Sequence, residues 1–302
     1  MIKPVLFSLT ELPLCAPLCA ALEAEAGVIN RRQFPDGESY LRVDTAVKGR
    51  DCVILANLVN PDAQFLPLLF LTATLRELGA NSVGLVAPYL CYMRQDTRFA
   101  EGEAITSRIF AEQLSRELNW LITVDPHLHR YHSLDEIYSI PAVALAGAPV
   151  LAAWLAEQGG QLLLVGPDIE SEQWVAAIAQ QIGQPYVIGR KVRRGDRDVT
   201  VTLPDISVYR EHTAVIIDDV ISSGQTILKT LAALKAAGMQ KIDCAAVHGI
   251  FADGIDTELL RQGIGRLITT NAIPHASNRV DLTGVLTPTI LQHLALCRAH
   301  LE

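Results

Sequence analysis

"VIIDDVISSGQT" (Val215–Thr226) sets two adjacent carboxylates, Asp218 and Asp219, at the end of an apolar run and follows them with small and hydroxyl-bearing residues. "TAVIIDD" (213–219) has the continuous apolar character of a strand covered on both faces. After it, "TILKTLAALKAAG" repeats apolar residues every three to four positions, the period of a helix. The stretch therefore predicts a strand, a tight loop and a helix over 224–237. N–H groups at a helix start are unpaired and carry partial positive charge. Ser222, Ser223 and Thr226 add hydroxyl donors, and Gly224 permits close backbone approach. Such a loop is a cradle for a phosphate. The aspartates do not suit a phosphate, but they accept hydrogen bonds from vicinal sugar hydroxyls. A sugar phosphate satisfies both halves of the stretch; a strand end with a capping serine and a solvated Asp pair is the plainer alternative.

The chain around this stretch has 302 residues, half of them hydrophobic, with a formal net charge of -8. That is enough for one large or two ordinary domains. An acidic balance argues against a nucleic-acid binder but leaves room for a local basic pocket. Six scattered cysteines lack metal or redox spacing and read as reduced thiols of a cytoplasmic protein. "LPLCAPLCAAL" (12–22) is apolar, yet Glu11 and two prolines interrupt it, so residues 4–8 read as a first strand and not as a leader. No apolar run reaches the roughly 18 residues of a membrane span.

Strand patterns at 4–8, 52–57, 82–89, 120–125, 161–168, 186–191, 213–219, 241–250 and 266–271 alternate with helical patterns. The alternation predicts mostly parallel, doubly wound sheets flanked by helices, an α/β fold in two domains. We place the boundary in "IPAVALAGAP", giving domains 1–143 and 144–302, with the last helix free to pack on the first. Several strands end in polar residues, where open α/β sheets bind ligands. These are "PYLCYMRQDTRF" (88–99), "TVDPHLHRYHS" (123–133) and "VGPD" (165–168). "FPDGESYLRV" (34–43) reads as a turn rich in breakers. From Arg190 to Arg197 five of eight residues are cationic, which suits a lid that closes over a polyphosphate better than a plain charged hairpin. His127, His129 and His132 could also suggest zinc, although no remote ligand has convincing spacing.

The opening stretch resembles the phosphoribosyl-binding motif of the phosphoribosyltransferase fold. That motif alone does not separate a transferase from a synthetase of phosphoribosyl pyrophosphate. The ordered set does more: Phe-x-Asp-Gly-Glu, Pro-Tyr…Arg-Gln-Asp, Val-Asp-x-His, a Pro-Asp loop, a basic loop and the ribose-phosphate motif. Over nearly the whole chain it resembles the ribose-phosphate pyrophosphokinase family, and the similarity continues through "VHGIF" (247–251) and "TTNAIP" (269–274).

The resemblance implies two stacked phosphoribosyltransferase-like domains. It implies ATP-dependent diphosphoryl transfer to ribose 5-phosphate, with Mg2+ as cofactor and self-association of the chain. Phe34, Asp36 and Glu38 would contact the adenine, reaching a neighbouring subunit's site, and Arg94 and Gln95 would hold the nucleotide from the other side. Lys191 and Arg193 would be catalytic, and His127 and Asp168 would help place Mg2+. Asp218 and Asp219 would hold the ribose, and Ser222, Ser223, Gly224, Gln225 and Thr226 the 5-phosphate. Two departures stand out. "PDIESEQ" puts Ile169, Glu170 and Ser171 where better-known members carry Ala-Gly-Gly, and Ser-Ser-Gly-Gln-Thr replaces Asp-Thr-Ala-Gly-Thr. Glu170 keeps open a catalytically weak or silent regulatory homologue. A phosphoribosyltransferase and a zinc hydrolase are the other rivals.

Overall fold

The computed structural model describes residues 2–128, 130–193 and 199–299, without the side chains of Val192, Arg193 and Val199. The chain forms two compact units, Met1–Leu145 with Leu282–Glu302, and Ala146–Asp281. In the first unit lie β1 (Val5–Ser8), α1 (Cys15–Ala21), β2 (Glu25–Ala26), β3 (Ile29–Gln33), β4 (Ser39–Val43), β5 (Asp51–Leu55), α2 (Asp62–Glu77), β6 (Ser82–Ala87), α3 (Thr106–Glu117), β7 (Trp120–Val124) and β8 (Ala142–Leu145). The second unit holds α4 (Ala148–Gln158), β9 (Leu162–Gly166), α5 (Glu172–Ile182), β10 (Tyr186–Ile188), β11 (Arg190–Arg193), β12 (Val199–Thr202), β13 (Thr213–Ile221), α6 (Gln225–Ala236), β14 (Lys241–Gly249), α7 (Ile255–Arg261), β15 (Leu267–Thr270) and β16 (Asn278–Val280). The final helix, α8 (Thr283–Ala299), returns to the first unit.

Each unit is built on a six-stranded parallel sheet, in the orders β2-β1-β5-β6-β7-β8 and β10-β9-β13-β14-β15-β16. The central strands β5, β6, β7 and β9 are buried at every position, as parallel strands covered by helices on both faces should be. In the second unit, Leu163, Ile216 and Cys244 face α6 and α7, while Leu164, Ile217 and Ala245 face α4 and α5. The alternation of strand residues thus supplies two cores from one sheet. α8 is fixed in the first unit by a stack of His293 on Trp120, 5.3 Å between ring centres, and by Arg298 Nε donating to the buried Asp51 carboxylate at 2.9 Å.

The structure corrects several boundaries. β13 runs to Ile221, two residues past the expected strand, because β14 is long enough to pair Val220 with His248 and Ile221 with Gly249. "IPAVALAGAP" is not simply a break: Ala142–Leu145 is the edge strand of the first sheet. The pattern at 186–191 splits at Gly189, where a side chain would sit 2.7 Å from the Pro167 carbonyl oxygen. "FPDGESYLRV" is the tip and one arm of a separate antiparallel hairpin, β3–β4. Its positions are mostly exposed, so no buried alternation announced it in the sequence. All six cysteines are free thiols.

Candidate active site

The second sheet reverses its winding between β9 and β13, since β10 is added on one side of β9 and β13 on the other. Such a switch point leaves a crevice at the carboxyl ends of the strands. Asp168 follows β9, and Asp218 and Asp219 lie near the end of β13, so this crevice is lined with carboxylates. Asp218 is half-buried; lost hydration first, then the charges of Asp219 and Asp168, push its pKa well above the ordinary range. Each aspartate of the pair also accepts from the next backbone amide. Asp219 N–H donates to Asp218 Oδ1 at 3.0 Å, and Val220 N–H to Asp219 Oδ1 at 2.8 Å.

The loop after β13 is only three residues, Ser222–Gly224, before α6 begins at Gln225. Gly224 has φ +65°, a left-handed conformation that costs a side-chain-bearing residue about 1–2 kcal/mol. A Cβ there would also stand 2.3 Å from Ile255 Cγ1. The segment after β14 braces the loop: Ile250 and Phe251 N–H donate to the Ile221 carbonyl at 2.9 and 3.0 Å, and Ala252 N–H to that of Ser222 at 3.1 Å. Sequence reasoning noticed "VHGIF" only as a resemblance and missed this bracing; Ile255 carried no sequence signal of its own. Ser223 and Gln225 are exposed, and Ser222 and Thr226 half-buried. This leaves α6's first amides and nearby hydroxyls beside the acidic crevice.

Lys191, on β11, sets its Nζ 2.6 Å from Asp168 Oδ2. The structure thus joins the expected catalytic lysine to the expected metal carboxylate. The backbone of Arg193 belongs to β11, but its side chain and the whole of residues 194–198 lie outside the described residues. Asp168 Oδ1 accepts the Glu170 N–H at 3.1 Å and its backbone carbonyl accepts the Ser171 hydroxyl at 2.6 Å. Glu170 itself is exposed.

The remaining expected residues belong to the first unit. Phe34, Asp36 and Glu38 form the exposed tip of the β3–β4 hairpin. The Phe34 N–H donates to the Glu38 carbonyl at 2.8 Å, and the Glu38 N–H to Asp36 Oδ1 at 3.2 Å. The Arg32 guanidinium sits 4.4 Å from the Phe34 ring centre and 4.3 Å from that of Tyr40, an arrangement that stiffens the tip and orients the Phe34 ring. Arg94 (exposed) and Gln95 (half-buried) follow β6, and half-buried His127 follows β7. His132 is exposed and His129 lies outside the described residues. Among the described residues no three His, Cys, Asp or Glu side chains form a metal-binding group. A cavity of about 730 Å³ in this unit, between the β1–α1 loop and the β3–β4 hairpin, is lined in part by Arg32 and Tyr40 but takes in none of Phe34, Asp36, Glu38, Arg94, Gln95 and His127.

For Mg2+, the carboxylate to test in this crevice is Asp168, which supplies hard oxygen donors and lies close enough for its charge to act on Asp218. One or two carboxylates with waters fit that ion's octahedral preference.

Comparison with known proteins agrees with this architecture. The description "N-terminal domain of ribose phosphate pyrophosphokinase" matches residues 5–117, and "Phosphoribosyl transferase domain" matches residues 133–280. A ribose-phosphate pyrophosphokinase of Methanobrevibacter smithii is 31% identical over 281 residues, covering 89% of this chain and 93% of the relative. One from Pyrococcus furiosus is 31% identical over 252 residues, covering 83% and 88%. The crystal structure of phosphoribosylpyrophosphate synthetase from Mycobacterium smegmatis superposes with a TM-score of 0.83 at 22% identity, over 97% of this chain and 99% of that one. With two parallel-sheet domains and relatives that match nearly end to end, this chain is an enzyme of the ribose-phosphate pyrophosphokinase family.

Proposed function

We propose that the protein transfers the β,γ-diphosphoryl group of ATP to O1 of ribose 5-phosphate, forming 5-phosphoribosyl 1-pyrophosphate and AMP. The observation that carries this reading is the switch-point crevice, where an acidic pair, a hydroxyl-rich loop and Lys191 converge. Asp218 and Asp219 accept hydrogen bonds from the ribose 2- and 3-hydroxyls. The amides and hydroxyls of Ser222, Ser223, Gly224, Gln225 and Thr226 hold the 5-phosphate at the start of α6. Fixed at both ends, the sugar presents O1. Its oxygen attacks the β-phosphorus in line, the bond from that phosphorus to the α,β-bridging oxygen breaks, and the O1 proton passes to solvent. Positioning and charge neutralisation carry such a transfer, with no covalent enzyme intermediate.

Lys191 and Arg193 neutralise the charge that develops on the diphosphoryl group and on the leaving AMP. Phe34, Asp36 and Glu38 bind the adenine, with Arg94 and Gln95 on the other side of the nucleotide. A hairpin tip this exposed suits contact with a second copy of the chain, and self-association is part of the proposal. Asp168, with His127, would hold Mg2+, which when bound supplies charge neutralisation on the diphosphate oxygens. No helix among the described residues is long and apolar enough to cross a membrane; a cytoplasmic location is part of the proposal.

Label transfer tests the bond that breaks. With ATP labelled in turn at the α-, β- and γ-phosphorus, β and γ labels should reach the sugar product together while α stays in AMP. Release of ADP would sink the reading. One observation favours a second reading: Ile169-Glu170-Ser171 puts a charge where the family resemblance implied Ala-Gly-Gly, which suits a catalytically weak regulatory homologue. That reading predicts ribose 5-phosphate binding without turnover.

A further inference from the structure

The segments after β6 and β7 carry different parts of the proposed nucleotide site, Arg94 with Gln95 on one and His127 on the other. Neither has regular structure of its own until α3 begins and until a short helical turn at Leu134. Side chains of the wrong length or loops of the wrong register would separate the two sets, so something must hold them.

What holds them is an ion pair of an uncommon kind. Asp96 is almost fully buried, with 1% of its side-chain surface exposed, whereas its partner Arg130 is 53% exposed. Arg130 donates twice to this carboxylate, from Nη1 to Oδ1 at 2.6 Å and from its backbone N–H to Oδ2 at 3.2 Å. The next residue adds a third tie: the Tyr131 hydroxyl donates to the Asp96 backbone carbonyl at 3.1 Å. The same hydroxyl meets the Ser107 hydroxyl at 3.3 Å and accepts from Arg108 Nε at 3.2 Å, which extends the tie to α3. Gln95 is pinned from the same helix, its carbonyl accepting the Ser107 N–H at 3.3 Å. Buried Met93 and buried Asp96 thus flank Arg94 and Gln95, and only two residues separate His127 from Arg130.

Burying a carboxylate is costly and a packed apolar residue would anchor a loop more cheaply. The ion pair adds direction: a carboxylate that receives both a backbone and a guanidinium donor fixes the register of one loop against the other.

We propose that Asp96 and Arg130 are positioning residues for the nucleotide, locking the Arg94–Gln95 segment to the His127 segment. The proposal rests on the assignment of those three residues to the nucleotide and its metal. Asp96 does not itself touch substrate. It acts through its neighbours, so its loss should weaken nucleotide binding and leave the ribose phosphate, held by the second unit, untouched.

Titration calorimetry of the full chain with α,β-methylene-ATP and Mg2+, and separately with ribose 5-phosphate, tests this. Asp96→Asn and Arg130→Ala should each weaken binding of the ATP analogue about tenfold, the value of a lost charge-assisted hydrogen bond. Ribose 5-phosphate affinity should stay at the parent value. Arg130→Lys, which keeps a cation but not the planar fork, should recover part of the loss. In turnover, KM for ATP should rise more than kcat falls. Arg130→Ala leaves the buried Asp96 carboxylate without its guanidinium, whereas Asp96→Asn removes the buried charge, so thermal denaturation checks both and Asp96→Asn carries the test if Arg130→Ala does not fold. Unchanged analogue affinity in folded Arg130→Ala overturns the positioning role, as does an equal loss for both ligands, which would mark a general structural defect. A parent that binds ribose 5-phosphate but not the analogue overturns the nucleotide assignment itself, and this proposal with it.

Discussion

Gly224→Ala strikes the loop after β13, the proposed phosphate loop, at its tightest point. Two costs can be read from the structure. At φ +65° an alanine pays about 1–2 kcal/mol for left-handed backbone. Its Cβ would also fall 2.3 Å from Ile255 Cγ1, an overpacking that costs about 1–3 kcal/mol. The sum, about 2–5 kcal/mol, lowers Tm by roughly 5–15 °C in a domain of this size. The two parts can be separated. Ile255→Ala removes Cγ1 and costs about 2–5 kcal/mol alone, because Ile255 is buried. In that background Gly224→Ala should cost only the backbone part, about 1–2 kcal/mol. Urea denaturation of parent, both single variants and the double variant gives the cycle, with an expected coupling of about 1–3 kcal/mol. Calorimetry alongside should show ribose 5-phosphate affinity reduced in Gly224→Ala, since the loop amides must shift. Equal costs of Gly224→Ala in both backgrounds would refute the steric account. Undiminished ribose 5-phosphate binding would remove the loop from the phosphate site.

Asp218→Asn should stabilise the ligand-free protein while abolishing turnover. The pKa of Asp218 is raised by lost hydration and by its acidic neighbours, so the folded chain holds a proton that the unfolded chain releases. Below the ordinary carboxylate range both states are protonated and the variant gains little; as pH rises the penalty grows, so the gain in Tm should be larger near about pH 8 than near about pH 5. Lys191→Ala should tighten Mn2+ binding to the ligand-free protein about two- to fivefold, because the half-exposed lysine now competes for Asp168. Weaker Mn2+ binding would contradict that competition. Phe34→Ala should raise KM for ATP about tenfold while KM for ribose 5-phosphate stays put, a loss set by one stacked ring.

Much of this was legible in the sequence because parallel sheets write themselves as apolar runs. The strands at 4–8, 52–57, 120–125 and 213–219 could be read from composition alone. The strand–loop–helix of Val215–Thr226 stood out for a different reason: two carboxylates and a glycine at a strand-to-helix turn have few bland explanations. What escaped was whatever depends on partners distant in sequence. β3 and β4 bury little and show no alternation, so the hairpin looked like a turn. The end of β13 is set by how far β14 extends, which β13 itself does not encode. Asp96 read as part of a polar cluster, because its burial depends on Arg130, Tyr131 and Ser107 in other segments. Ile255 is an ordinary apolar helix residue until Gly224 is seen against it.

The central claim is that the switch-point crevice of the second unit carries out diphosphoryl transfer. Simultaneous measurement of AMP and 5-phosphoribosyl 1-pyrophosphate from ATP, ribose 5-phosphate and Mg2+ tests it most directly, with Lys191→Ala and Asp219→Ala run beside the parent. The account predicts equimolar products from the parent and loss of both in each variant. It also predicts that ribose 5-phosphate binding survives in Lys191→Ala and fails in Asp219→Ala. A parent that forms neither product while binding ribose 5-phosphate, or an Asp219→Ala variant with the parent's rate, would contradict it.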